Sequence, residues 1–280
     1  MKRMRDIRTT RVLITGATGF LGSALVKQLG SPSSSQFDTL CWPRTADSNL
    51  LSAEGRQRVL LALRPDVVVH LAWLSTGVDG YESNSFNKEW AEQSMRFANE
   101  CTALGAWFIC AGSASDDAQN PVASHVGESI YAASKRALRE HVLSGHVPQH
   151  LVTWLNIQYV FSIHALRPRL LRQMMESRVP QDFVASNPSS RHDFIHVTDV
   201  AESVCVTLRN AVRGVVTVGS GFSTSVEAFL ETAKFNLHLR DTRPAIADLP
   251  RVVSRTTIES LGWFPDSTYD FFGVRKAGIS

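Results

Sequence analysis

The sequence predicts an α/β fold, a doubly wound parallel sheet with a smaller C-terminal α/β lobe. The apolar, β-branched run Val12–Ile14 leads directly into three glycines at three-residue spacing, Gly16, Gly19 and Gly22. An amphipathic helical pattern begins inside this glycine series, which gives a strand, a turn and a helix in succession. Further apolar runs then alternate with helical patterns along the chain, as is typical of a parallel sheet covered by helices.

The later elements follow the same alternation. Strands are predicted at Phe37–Trp42, directly after Pro65–Asp66, and at Trp107–Ala111, Leu151–Phe161 and Val215–Val218. Helices are predicted at Ser52–Leu63, from about Asn84 to Leu104 and at Arg167–Met175. We expect residues 1–161, with 191–221 returning to them, to form the main domain, and 162–190 with 222–280 to form the smaller lobe.

The glycine turn has the features of a phosphate-binding site. One glycine permits the tight turn, a second lets a pyrophosphate approach the backbone, and a third lets helix and strand pack closely. The phosphates would then lie at the helix N-terminus, where unpaired N–H groups meet the positive end of the helix dipole. The spacing G-x-x-G-x-x-G differs from the usual G-x-G-x-x-G, so the alternative is an ordinary turn of an α/β protein.

Composition excludes several other classes of protein. The 280 residues are 44% hydrophobic and 20% charged, as in an ordinary globular protein. The net charge of +3 is scattered and forms no basic stripe with interleaved aromatics, so we expect no nucleic-acid partner. No segment has the length of a membrane span, and the basic N-terminus lacks the apolar core of a signal peptide. The four cysteines show no C-x-x-C spacing, and we expect a cytoplasmic protein with reduced thiols.

A second motif supplies groups for proton transfer. Tyr131 and Lys135 are four residues apart and therefore share one face of a helix. A free phenol has a pKa of about 10, and a fixed ammonium nearby lowers it towards the range useful for acid–base catalysis. Y-x-x-x-K alone occurs by chance. Here it follows Ser113, a polar residue at the carboxyl end of a predicted strand, where open α/β sheets bind ligands.

These motifs together resemble the short-chain dehydrogenase/reductase superfamily, and Thr15–Gly22 is most similar to its extended, nucleotide-sugar-modifying branch. His70–Trp73 resembles the family's His-Leu-Ala-Ala, His192–Val200 its Arg-Asp-Phe-x-x-Val-x-Asp-Val, and Leu261–Trp263 its Leu-Gly-Trp. The resemblance runs from Arg11 to about Pro265. It implies a Rossmann domain that binds a dinucleotide, a smaller lobe that binds substrate, and a homodimer.

The resemblance also assigns site residues. It implies that Ser113, Tyr131 and Lys135 are catalytic, with Ser115 as the alternative to Ser113. Cofactor contacts are implied for Tyr131 and Lys135 and for the residues of the glycine turn and of the neighbouring strand ends, namely Gly16, Thr18, Gly19, Phe20, Leu21, Gly22, Arg44, Leu71 and Ala72. His70 is expected to be a hydrogen-bonded core residue.

The end of the second predicted strand indicates which cofactor is bound. A typical NAD-binding chain has an acidic residue there for the ribose hydroxyls, whereas this chain has Cys41–Arg44. An arginine can pair with a ribose 2′-phosphate, so NADP(H) is favoured. Asp47 nearby could serve instead, which keeps NAD as the alternative.

The substrate residues depart from the family pattern. Tyr159 stands where the family has a substrate-facing asparagine, and His192 stands where it has the arginine that grips the substrate diphosphate. Arg191 precedes His192 by one place, and on a strand a one-residue slip points a side chain to the opposite face. His192 and His196 show no third ligand nearby, so no metal is expected.

We therefore expect NADPH-dependent reduction of a keto group on a nucleotide-activated sugar, of the 4-keto-6-deoxyhexose type. Dehydratases of the family carry an Asp-Glu pair after the active-site residue, and Ala114–Ser115 does not match it. A 4-epimerase with retained NAD would use the same residues. The alternative of another class is a protein that senses a dinucleotide without catalysis.

Overall fold

A computed structural model describes residues 9–73, 81–114, 129–242, 244 and 256–274 of the chain. The strands, in chain order, are β1 (Thr10–Thr15), β2 (Phe37–Cys41), β3 (Val67–His70), β4 (Trp107–Ala111), β5 (Val152–Ile157), β6 (Tyr159–Phe161), β7 (Arg191–His192), β8 (Phe194–His196), β9 (Gly214–Val218) and β10 (Thr224–Ser225). The helices are α1 (Phe20–Leu29), α2 (Ala53–Leu63), α3 (Phe86–Ala103), α4 (Ile130–Leu143), α5 (Arg169–Glu176), α6 (Val197–Arg209), α7 (Val226–Asn236), α8 (Thr256–Glu259) and α9 (Asp266–Phe272).

The main sheet of the described chain has six strands in the order β2-β1-β3-β4-β5-β9. The neighbouring strands are parallel in the pairs β2–β1, β1–β3, β3–β4 and β4–β5. The chain runs outward from β1 to β2 and then crosses back to β3, so the winding direction reverses between β1 and β3. Such a reversal is where doubly wound sheets bind their ligands, beyond the carboxyl ends of the strands. The predicted α/β fold class is confirmed.

The carboxyl ends of β1 and β3 approach each other closely. Gly16 has a φ of +72°, and a Cβ added to it would lie 2.9 Å from the backbone nitrogen of Ala72, too close for any side chain. Thr15 supports the same contact, because its hydroxyl accepts a hydrogen bond from the Ala72 N–H at 3.2 Å. Only glycine therefore satisfies both the left-handed backbone and the narrow gap to β3.

His70, the last residue of β3, lies fully inside this junction. One ring nitrogen is 2.8 Å from the Thr15 hydroxyl and the other is 2.9 Å from the Ser94 hydroxyl on α3. Burial, followed by the positive charges of Lys135 and Arg56, lowers the pKa of His70 to about 3, so the imidazole is neutral. The prediction of a hydrogen-bonded core histidine is confirmed.

Helix α1 packs against the turn through Gly22. A Cβ added to Gly22 would lie 2.1 Å from the Gly16 carbonyl oxygen, whereas one added to Gly30, after the end of α1, would meet its nearest atom at 3.5 Å. The third glycine of the motif therefore brings helix and turn together, as the spacing predicts.

The predicted strand Leu151–Phe161 is wrong as a single strand. β5 belongs to the main sheet, whereas β6 pairs with β8 in a separate small sheet. The break is at Gln158, whose N–H donates to the Val218 carbonyl, while the next N–H, of Tyr159, donates to the Asp193 carbonyl. The chain thus changes its hydrogen-bonding partner without losing its apolar pattern, and the pattern alone gives no sign of this.

Residue contacts divide the chain into two compact units, one of residues 1–155 with 211–215 and one of residues 156–210 with 216–280. The first contains a core of strand and helix side chains, with Leu13, Phe97, Phe108 and Trp154 fully buried. The second contains an aromatic core that includes Phe161, Phe194, Phe222, Phe229, Phe271 and Phe272. The predicted assignment of cofactor and substrate to separate domains stays a prediction.

Gly22→Ala is expected to destabilise the protein by about 1–3 kcal/mol, because its methyl group would overlap the Gly16 carbonyl and force helix and turn apart. The matched control is Gly30→Ala, where the backbone is helical and the space is open. Thermal unfolding followed by circular dichroism compares the two variants. Equal unfolding midpoints would contradict the packing role of Gly22.

Buried His70 is expected to make stability depend on pH. Its folded pKa lies near 3 and its ordinary value is 6.5, so between these values the unfolded state binds a proton that the native state does not. The free energy of unfolding should therefore fall as pH decreases through this window, by up to about 1.4 kcal/mol per pH unit from this group. Urea titrations at several pH values measure the slope.

His70→Asn should flatten this dependence, since the variant carries no titrating group there. His150→Asn, which changes an exposed histidine, should keep it. The same slope in all three proteins would assign the pH dependence to other groups.

Candidate active site

The glycine turn presents a helix N-terminus that fits an anion. Gly19, in extended conformation, is the residue before α1, and its N–H donates to the Gly16 carbonyl at 2.9 Å. Among the described residues no side chain caps this end of α1, and its first turn has no acidic residue. The site thus offers backbone N–H groups and a positive dipole end without a competing carboxylate, which is what a pyrophosphate requires.

Arg44 lies beside this turn. Its guanidinium donates to the Thr18 hydroxyl at 3.1 Å. This contact joins the segment after β2 to the middle of the glycine motif. The segment before it is fixed, because the buried indole of Trp42 donates to the Ser48 carbonyl at 2.7 Å. Asp47, the alternative group for the ribose, forms an exposed ion pair with Arg58 at 3.1 Å. Of these two candidates, the structure brings Arg44 to the turn.

Lys135 is tied to the end of β4. Its ammonium donates to the Ala111 carbonyl, the last of the strand, at 2.9 Å, and the side chain is only 5% exposed. Helix α4 begins with Ser129, whose hydroxyl accepts from the Ala132 N–H at 3.1 Å. This cap fixes the first turn of the helix, which carries Tyr131 one turn before the lysine.

Ser113 follows β4 by two residues and is half-buried, whereas its alternative, Ser115, lies outside the described residues. The link between them is rigid, since the Gly112 N–H donates to the Leu155 carbonyl at 2.8 Å. A Cβ at Gly112 would lie 2.4 Å from the Trp154 indole nitrogen, so the backbone rests directly on that ring. One strand end thus places Ser113 and, through Ala111, also holds Lys135.

Sequence reasoning missed a role for Trp73. Its ring lies against Lys135 and Tyr131, with the ammonium 3.8 Å from the ring centroid and the two aromatic rings edge to face at 6.3 Å. The departure from the family's His-Leu-Ala-Ala, with tryptophan in place of the last alanine, is the signal that could have identified it.

The predicted substrate residues lie in the second unit. Tyr159 and His192 are in contact, with ring centroids 4.1 Å apart, and the His192 ring is also 2.6 Å from the Ser190 hydroxyl. Burial lowers the pKa of His192, which favours the neutral imidazole. Arg191 donates to the Ser223 carbonyl at 2.6 Å and is therefore directed to the backbone. A neutral His192 therefore lacks the charged fork with which an arginine binds a diphosphate.

The described residues hold neither a metal-binding cluster nor a membrane-spanning helix. They contain no group of three or more His, Cys, Asp or Glu side chains placed to hold a metal ion. None of their helices combines the length and apolar character required to cross a bilayer.

Three known structures illustrate what the chain is similar to. UDP-glucose 4-epimerase from Thermus thermophilus, complexed with NAD, has 19% identity over 91% of this chain and 94% of that one, with a TM-score of 0.63. GDP-mannoheptose C4 reductase from Campylobacter jejuni, with NADP bound, has 16% identity over 96% and 99%, with a TM-score of 0.69. A dTDP-4-dehydrorhamnose reductase from Clostridium acetobutylicum has 16% identity over 95% and 99%, with a TM-score of 0.68.

At these identities the likeness shows the fold. No curated protein sequence matches the chain. The model of the NAD-dependent epimerase/dehydratase family, however, matches residues 12–219, from β1 to the end of β9. This match covers about three-quarters of the chain and confirms the predicted family. The chain therefore belongs to the NAD-dependent epimerase/dehydratase family.

Proposed function

We propose that the protein reduces a keto group on a nucleotide-activated sugar, of the 4-keto-6-deoxyhexose type, with NADPH as cofactor. The observation that carries the proposal is the buried ammonium of Lys135, fixed to the end of β4 at 2.9 Å, one helical turn from Tyr131. A lysine held in this way can tune a neighbouring phenol for proton transfer. Ser113 follows the same strand end and completes the set.

The residues present fit a dinucleotide. The N-terminus of α1 and the backbone from Gly16 to Gly22 would hold the pyrophosphate. Arg44, which reaches Thr18 in that turn, would pair with the 2′-phosphate and select NADP(H) over NAD. When bound, the cofactor supplies the hydride for the carbonyl carbon.

The chain's own side chains act on the carbonyl oxygen. Tyr131 donates its proton to the oxygen as negative charge develops there. The Lys135 ammonium favours the phenolate that remains, and in this proposal it also hydrogen-bonds the nicotinamide ribose. Ser113 donates a hydrogen bond to the same oxygen and stabilises the developing charge.

A second candidate is a 4-epimerase that retains NAD, as the similarity to the Thermus thermophilus enzyme suggests. It would use the same three side chains. The position of Arg44 beside the glycine turn favours the reductase, because an epimerase with NAD has no 2′-phosphate for it to bind. Net consumption of NADPH separates the two activities, since epimerisation causes none.

The experiment is a screen of NADPH oxidation against 4-keto-6-deoxy nucleotide sugars, together with calorimetry of nucleoside diphosphates on the NADP-loaded protein. Turnover of one sugar nucleotide and binding of its nucleoside diphosphate support the proposal. If the protein instead reduces a small, uncharged ketone and binds no nucleoside diphosphate, such a ketone replaces the nucleotide sugar as the proposed substrate. Such an outcome would be consistent with a neutral His192.

Tyr131→Phe is expected to lower kcat by at least about 10²–10⁴-fold, because the variant has no proton to donate. NADPH should still bind, since the ring is retained. The matched control is Tyr269→Phe, in α9, a tyrosine to which no site role is assigned, and this variant should keep wild-type kcat. Steady-state assays and calorimetry with NADPH measure both variants. Wild-type turnover by Tyr131→Phe would rule out the proposed mechanism.

Arg44→Ala is expected to reduce the preference for NADPH over NADH by about tenfold or more, through loss of a charge-assisted contact to the 2′-phosphate. NADH binding should change little. Arg58→Ala removes an exposed arginine from the following helix and serves as control. Asp47→Ala tests the alternative group. The measured quantity is the ratio of the dissociation constants for NADH and NADPH. An unchanged ratio in Arg44→Ala would contradict the assignment of Arg44 to the 2′-phosphate.

A further inference from the structure

Trp73 has a fixed orientation at the end of β3. Its indole N–H donates to the side-chain oxygen of Asn87 at 2.8 Å, and Asn87 is fully buried in α3. The Asn87 amide nitrogen in turn donates to the Asn84 carbonyl at 2.9 Å. The Trp90 ring packs on the indole with ring centroids 6.2 Å apart. The indole therefore has both a hydrogen bond and an aromatic neighbour that hold its plane.

That plane faces the ammonium of Lys135, which lies 3.8 Å from the ring centroid. Lys135 is only 5% exposed, so its ammonium has lost most of its contact with water. The Ala111 carbonyl and the indole face both attract the positive charge without neutralising it. A cation–π contact is stronger at a desolvated site than at the surface.

The same indole also sets the position of Tyr131. The two rings meet edge to face, with centroids 6.3 Å apart and planes at 86°. This geometry is a favoured one for aromatic pairs. Trp73 thus contacts both members of the Tyr131–Lys135 pair from a different element, and movement of the indole would change their separation.

We propose that Trp73 is a positioning residue that holds the Lys135 ammonium and the Tyr131 ring in one arrangement. The inference rests on the proposed function for the kinetic part of its test. The Lys135 charge acts on His70 of β3, and so does the charge of Arg56 of α2, which is paired with Glu100 of α3 at 2.8 Å. His70 is neutral because burial lowers its pKa to about 3, and Arg56 is paired with Glu100.

A matched control is present in the same unit. Trp107 also has a cation over its ring, the guanidinium of Arg213 at 3.4 Å, and its N–H also donates to a side chain, the Thr153 hydroxyl at 2.9 Å. Replacement of Trp107 thus removes the same kinds of interaction away from Tyr131 and Lys135. A purely structural effect should appear in both variants.

The experiment compares Trp73→Leu, Trp73→Phe and Trp107→Leu. Trp73→Leu should lower kcat about tenfold and change the substrate KM less than about threefold, because it removes the π-face that holds the ammonium. Trp73→Phe retains an aromatic face and should recover most of kcat. Trp107→Leu should leave kcat unchanged below its unfolding temperature. Equal kcat for the two leucine variants, or no rescue by phenylalanine, would overturn the inference.

A second readout does not depend on turnover. Displacement of Lys135 should weaken NADPH binding several-fold in Trp73→Leu, as measured by calorimetry. In a double-mutant cycle with Lys135→Met, this loss should vanish, because the indole then has no ammonium to hold. The same loss in both backgrounds would overturn the inference. Trp73→Met, which fills irregular space with a flexible chain, replaces Trp73→Leu in the cycle if the leucine variant does not fold.

The two readouts separate this inference from the proposed function. A wild-type protein that reduces no sugar nucleotide, but whose NADPH affinity follows the cycle, would refute the proposed reaction and support the role of Trp73. If the wild-type protein reduces a sugar nucleotide but Trp73→Leu behaves like Trp107→Leu, the proposed reaction is supported and the role of Trp73 is refuted.

Discussion

The close approach of Gly16 to the backbone of Leu71 and Ala72 is the constraint on which the rest of the site depends. No side chain fits at Gly16, and the Thr15 hydroxyl joins the two strand ends through its hydrogen bonds with the Ala72 N–H and the His70 ring. The turn that follows sets where α1 begins, and therefore where its N–H groups point. The end of β3 leads directly to Trp73. A single junction of two strands thus positions both the proposed phosphate site and the indole beside Lys135.

Two buried cations in the first unit are compensated in different ways. Arg56, with no exposed surface, forms two hydrogen bonds of 2.8 Å to the carboxylate of Glu100, so its charge is balanced where it lies. Lys135 contacts a carbonyl and a ring face, which lower the cost of burial without adding a negative charge of their own. The Arg56–Glu100 pair is a structural ion pair of the core, whereas in the proposed reaction the Lys135 ammonium would favour the phenolate of Tyr131.

Local pattern was sufficient for much of the fold. The run Val12–Ile14 and its glycines predicted β1, the turn and α1, and the limits of β4 were predicted as observed. The segment Leu151–Phe161 was not, because its apolar pattern continues while its partner strand changes at Gln158. The contact of Arg44 with Thr18 and that of Trp73 with Lys135 join residues far apart in sequence. The sequence predicted a cofactor contact for Arg44 and no role for Trp73. Only the packed structure shows which residues each of them contacts.

The second unit brings together the half-buried rings of Tyr159 and His192, and His192 stands where the family pattern has a cation. Tyr159 contacts His192, and the Phe194 ring lies 6.1 Å from that of Tyr159. Since burial lowers the pKa of His192, any gain of charge there occurs below the ordinary histidine range, and the ring is neutral near neutral pH. In the proposed reaction these side chains would therefore recognise the substrate by stacking and hydrogen bonding. A neutral aromatic surface selects by shape and polarity, so the identity of the base or sugar should matter more here than the charge of the diphosphate.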